Sequence, residues 1–107
     1  MPDAQPFLSA FHPVEEGWID YNGHMNMGYY TVLFDRCADE AFEEMGFGPE
    51  YRATRNLTTF SAEFHIRYLR EVKLGDQLRS SFYLLDHDGK RFHFFQELYH
   101  SDGWIAA

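Results

Sequence analysis

The stretch Tyr30–Met45, "YTVLFDRCADEAFEEM", decides how the chain folds, because its apolar residues keep a three-and-four spacing from end to end. Tyr30, Leu33, Phe34, Cys37, Ala38, Ala41, Phe42 and Met45 fall on one side of a helix. Asp35, Arg36, Asp39, Glu40, Glu43 and Glu44 fall between them on the other side, and Gly46, Gly48 and Pro49 end the pattern. Such a helix has a single stripe to bury, so the rest of the chain must supply a surface broad enough to cover it.

That surface reads as a sheet. Beyond the link "PEYRATRN" the period changes to two: Phe60, Ala62, Phe64, Ile66 and Tyr68 alternate with Thr59, Ser61, Glu63, His65 and Arg67, which predicts a long strand. "LGDQ" is a turn, "LRSSFYLLD" a second strand, "HDGK" a hairpin connection and "RFHFFQELYH" a third strand. Upstream of the helix, "FLSAFHPV" is an opening strand that "EEGWID" continues. "SDG" turns into "WIA", where a further strand begins as the sequence stops, so we expect one domain, residues 1–107, that lacks its C-terminal strand. The class is α+β: a long central helix wrapped by an antiparallel sheet.

Composition narrows the partners. Of 107 residues, 45% are hydrophobic and 19% aromatic, enough apolar surface for a packed core. Nine basic residues against 17 acidic ones leave a formal charge of -8, which makes nucleic acid a poor partner. Cys37 is the sole cysteine, so neither an intrachain disulfide nor a cysteine-rich metal site can form. "MPDAQPFLSAF" is not a signal peptide, and no long apolar run offers a membrane span, so we expect a soluble cytoplasmic protein.

Immediately before the helix, "DYNGHMNMGYY" (20–30) crowds hydrogen-bonding side chains against the N–H groups that a helix start leaves unpaired. Those groups, with the positive end of the helix dipole, suit an oxyanion. Asp20, Asn22, Gly23, His24, Asn26 and Tyr30 resemble the D-x-N-G-H-x-N-x-x-x-Y signature of hotdog-fold acyl-CoA thioesterases, in particular the 4-hydroxybenzoyl-CoA thioesterase group. The likeness continues through "FSAEFHIRYLREVKLGDQL" and "LLDHDGKRFHFFQELYH", and is nearest to the thioesterases proposed to hydrolyse betainyl-CoA in bacterial carnitine breakdown.

The resemblance implies a hotdog fold and hydrolysis of a small acyl-CoA. It implies Asp20 as nucleophile or base, the Met27 and Gly28 amides as oxyanion donors, Asn22 and His24 as orienting groups, and Tyr30 at the substrate. The Asp20, Asn22, His24 spacing also resembles that of plant acyl-carrier-protein thioesterases, whose further glutamate matches Glu71 by position, with Glu63 the other candidate. The segment from His24 to Glu71 is longer than in those enzymes. Family members form dimers and tetramers with sites at the subunit boundary, and need no metal or cofactor, coenzyme A being part of the substrate.

Plainer roles stand beside these. Asp20, Asn22 and Asn26 are residues that cap helices and fix turns, and His24 could tether the loop to the sheet. Glu63, His65 and His93, with Asp20 or His24, could be read as metal ligands, but solvated strand residues explain them better. Arg67, Arg70, Lys73, Lys90 and Arg91 suit either coenzyme A phosphates or protection of a sheet edge. Some aromatics could cage a quaternary ammonium, though core packing is the commoner use. A non-catalytic acyl-CoA-binding module would keep the fold without needing Asp20. A dehydratase or hydratase would need a histidine on the helix, and "MGYYTVLF" offers none.

Overall fold

The computed structural model describes residues 6–46 and 60–107. Helix α1 (Met27–Glu44) forms where the spacing predicts it and buries Tyr30, Leu33, Phe34, Cys37, Ala38 and Ala41. Phe42 is half-buried, and Met45, the C-cap, is exposed. Gly46 closes the last turn with its N–H on the Glu43 carbonyl (3.1 Å), at a φ of 86° that favours glycine.

The sheet comprises β1 (Phe7–Leu8), β2 (His12–Pro13), β3 (Gln77–His87), β4 (Phe92–Phe95) and β5 (Leu98–His100). β3 is the common antiparallel partner of the other four. Leu78 pairs with His12 and also with His100, so β2 and β5 flank β3 on opposite edges. The opening strand is broken into β1 and β2, and Glu16–Trp18 forms a turn of 3-10 helix instead of continuing it. The strand expected over 91–100 is likewise two strands. At the break Gln96 Nε2 donates to the Phe34 carbonyl (3.1 Å) and Ser80 Oγ (3.0 Å), and the Glu97 N–H turns to Ser81 Oγ (3.0 Å). Side chains share the pairing there with one backbone bond, from the Ser81 N–H to the Glu97 carbonyl (3.0 Å), and a register shift between Leu84 and Asp86 marks a second irregularity on β3.

The strand expected over Phe60–Tyr68 is not formed. Backbone pairing of this segment begins only at Leu69 and Arg70, whose N–H groups both donate to the Ala106 carbonyl (2.9 and 3.1 Å). Alternation selects a face, but a strand also needs a neighbour to bond with, and among the described residues none lies along 60–68. The chain's last residues are wedged beside β5, with the Ala106 N–H on the Leu98 carbonyl (2.7 Å) and the Leu98 N–H on the Ala107 carbonyl (2.9 Å).

The main core joins Leu33, Phe34 and Tyr30 of α1 to Leu78, Leu98, Val72, Ala106, Val14, Trp18 and Met25. A smaller cluster around Ala38, Ala41 and Phe82 is completed by Phe7, Phe42 and Phe94. Burying each large aliphatic side chain of this kind stabilises by about 2 kcal/mol. The helix stripe is thus covered by β3 and its neighbours, and the start of α1 is left facing a loop.

Candidate active site at the helix start

The loop before α1 is tied to itself before it is tied to anything else. Ile19 and Met25 form a bridge, the Asp20 N–H donates to the His24 carbonyl (2.9 Å), and the Gly23 N–H donates to the Asp20 carbonyl (3.0 Å). Gly23 takes a φ of 81°, the left-handed conformation that lets the turn close. Asp20 Oδ1 accepts from the Asn22 N–H (2.9 Å) and, more weakly, from the His24 N–H (3.4 Å). The turn-forming role of Asp20 is therefore real, but it uses one oxygen. Among the described residues, Oδ2 has no hydrogen-bond partner.

Asn26 is the N-cap, and its Oδ1 accepts from the Gly28 N–H at 3.0 Å. This occupies the amide expected to act as a second oxyanion donor. The Met27 N–H has no acceptor among the described residues, and Met27 lines the cleft. Of the two amides that the sequence put forward, the structure leaves one free and shows what takes the other.

An open cleft of about 330 Å³ lies here, walled by Asp20, His24, Met25 and Met27, by Tyr30 of α1, and on the far side by residues 68–71. His24 Nε2 stands 2.9 Å from Glu71 Oε2, so the fold brings together two residues far apart in the chain. The Tyr30 hydroxyl donates to the Arg70 carbonyl (3.1 Å), and burial pushes its pKa up, keeping the phenol a neutral donor. The Tyr68 hydroxyl donates to the Met27 carbonyl (3.4 Å), and its ring meets that of Tyr30 edge to face, 5.1 Å between centroids.

Asp20, His24, Met27, Tyr30 and Glu71 thus converge. Asn22 and Gly28 are exposed beside the cleft without lining it, and Asn22 acts on the site through its backbone N–H. Glu63 is exposed and lies outside the cleft wall. Sequence reasoning missed Tyr68, which it treated as one face residue of a strand; its only sequence signal was its place three residues before Glu71.

Among the described residues, the histidines and acids weighed as metal ligands do not gather. The trio that does, His12, Cys37 and Glu40, has its ligand atoms within 4.8 Å of one another. Its His12–Glu40 pair, at 2.6 Å, already satisfies itself, and burial pushes the Cys37 thiol pKa up, against the thiolate that a metal requires.

The sequence profile of the thioesterase-like superfamily matches residues 14–107. A betainyl-CoA thioesterase of Pseudomonas aeruginosa is 34% identical over 87 residues, which are 81% of this chain and 55% of the relative. An L-carnitine dehydrogenase/betainyl-CoA thioesterase of Ruegeria pomeroyi is 35% identical over 103 residues, 96% of this chain and 21% of that one. The chain therefore spans about half of the Pseudomonas relative and about a fifth of the Ruegeria one. A hypothetical protein of Staphylococcus aureus, solved in complex with CoA, superposes with a TM-score of 0.86 at 32% identity, over 95% of this chain and 64% of that one. With the profile covering all but the first residues, the chain belongs to the thioesterase-like superfamily, and its helix laid on an antiparallel sheet is that family's hotdog fold.

Proposed function

We propose that the protein hydrolyses a small acyl-CoA thioester to the free acid and coenzyme A, with betainyl-CoA the foremost candidate substrate. The observation that carries this reading is the convergence, in one cleft, of a carboxylate oxygen and a helix-start N–H that both lack a hydrogen-bond partner among the described residues. A thioester carbonyl entering the cleft would set its oxygen on the Met27 N–H, where helix-end potential favours the developing negative charge. Asp20 Oδ2 then either attacks the carbonyl carbon or takes a proton from the water that attacks. In both routes a C–O bond forms, the C–S bond breaks and the coenzyme A thiolate leaves to collect a proton; where Asp20 itself attacks, water then cleaves the resulting anhydride, releasing the acid and restoring the carboxylate. The loop bonds to Oδ1 hold the carboxylate in place, and Glu71 holds His24 as an orienting group. No step calls for a metal or a redox cofactor.

Relatives named for betainyl-CoA and a structural neighbour holding CoA support this choice of substrate class. We also read the protein as a cytoplasmic homodimer or homotetramer. Phe60 is 93% exposed and Phe64 and Leu69 more than half, apolar surface that a subunit contact would cover. Among the described residues, no helix is long and apolar enough to cross a membrane.

Release of free thiol from betainyl, short-chain and aromatic CoA esters tests the reading, using wild type, Asp20→Asn and Asp20→Ala. Asparagine keeps the Oδ1 acceptor and so the loop, while turnover should fall by about a hundred- to ten-thousand-fold. Alanine removes the loop bonds as well, costing about 1–2 kcal/mol of stability. Undiminished hydrolysis by a folded Asp20→Asn refutes the mechanism. Tight ester binding without turnover in wild type would favour a binding module.

A further inference from the structure

The residues that choose the acyl group can be read from the same cleft, an inference that rests on the hydrolase reading above. A betainyl group is an N-trimethylglycyl group, so its nitrogen stands only about 2.5 Å from the carbonyl carbon. The ammonium cannot reach past the cleft that holds the carbonyl, and whatever recognises it must already line that wall.

The wall offers the matching chemistry. Its carboxylates are Asp20 and Glu71, its imidazole is that of His24, which faces Glu71, and its cation is Arg70, whose guanidinium lies 4.0 Å from the centre of the Trp104 ring. Its aromatic rings are Tyr30, buried, and Tyr68, 42% exposed and perpendicular to it. The Tyr68 hydroxyl donates to the carbonyl of Met27, the residue whose amide is the oxyanion donor, which ties this ring to the start of the helix. A quaternary ammonium has no N–H to donate and is recognised by aromatic faces and by carboxylates at a distance.

We propose that Tyr68 and Glu71 form the acyl-selecting subsite, with the Tyr68 ring face against a quaternary ammonium and the Glu71 carboxylate as its counter-charge. Both groups line the same cleft as Asp20 and are distinct from the bond-making oxygen and the oxyanion donor.

The test compares two CoA esters of nearly equal shape, betainyl-CoA and its neutral isostere tert-butylacetyl-CoA. Dissociation constants are measured by calorimetry on Asp20→Asn alone and combined with Tyr68→Phe or Tyr68→Leu. The charged ester should bind about tenfold more tightly, a preference kept by phenylalanine and lost with leucine. Equal affinity for the two esters, or a preference that survives Tyr68→Leu, overturns the subsite. Wild type that hydrolyses none of the betainyl, short-chain and aromatic esters overturns the hydrolase reading instead, and the binding ratio still decides the subsite.

Discussion

Met27→Pro isolates the oxyanion donor from everything around it. Met27 is the first residue of α1, the helical position where proline is best tolerated, because its N–H has no helical partner to lose. Here that N–H has no acceptor at all among the described residues, so the substitution removes no hydrogen bond of the folded protein. The residue before a proline must avoid the α region, and Asn26 already sits at φ -59°, ψ 143°. The Met27 side chain is 62% exposed, so little apolar contact is lost, and the carbonyl that Tyr68 uses is retained. Stability should therefore change by less than about 1 kcal/mol. Turnover loses a preorganised donor, about 3 kcal/mol, which is about a hundredfold or more in kcat. Thiol release at saturating ester, with thermal melting as the fold control and Met27→Leu as the side-chain control, reads both. A Met27→Pro protein that melts normally and keeps wild-type kcat shows that this amide does not polarise the carbonyl.

Two further outcomes concern the scaffold. Leu33 is fully buried in the main core, so Leu33→Ala should cost about 2–5 kcal/mol in urea denaturation, and a near-neutral result would contradict that core. Tyr99 is pushed up to about 12, first by burial and then by its bond to Glu97. The fold therefore favours the neutral phenol, and this contribution is full below the ordinary value of 10.0 and is lost as pH rises through about 12. Tyr99→Phe should flatten that alkaline decline; an unchanged slope would assign it to other groups.

The helix was legible because its spacing is a local property: each apolar residue of "YTVLFDRCADEAFEEM" reports on its own face whatever covers it. β3 was legible as well, its first half flanked by partners on both edges and its second half by β4. The segment 60–68 carries an equally clear alternation and yet forms no strand and finds no ladder partner among the described residues, because alternation names faces and not neighbours. The break between β4 and β5 depends on Gln96 reaching Phe34 and Ser80, contacts no local pattern encodes. In the site, the crowded loop pointed to Asp20, His24 and Met27, but that Asn26 would take the Gly28 amide needed coordinates. Glu71 could be matched by position alone; its 2.9 Å contact with His24 belongs to the fold.

What makes the cleft a defined shape is that its far wall is held by backbone as well as by side chains. The Met25 N–H donates to the carbonyl of fully buried Val72 (3.0 Å), and the Asn26 N–H donates to the Trp18 carbonyl (2.9 Å). On the other flank Leu69 and Arg70 hang on the Ala106 carbonyl, and the Tyr30 hydroxyl takes the Arg70 carbonyl. Residues 69–72 are therefore fastened to the loop, to α1 and to the chain's last turn, while the side chains of Tyr68 and Glu71 remain directed at the cleft. Substitutions there differ in kind: replacing Tyr68 changes what the cleft prefers, whereas disturbing Val72 or Ala106, both without exposed surface, moves the whole wall relative to Asp20. Selectivity and geometry are thus separable at neighbouring positions, because backbone hydrogen bonds and the buried core set the frame and exposed side chains set the chemistry.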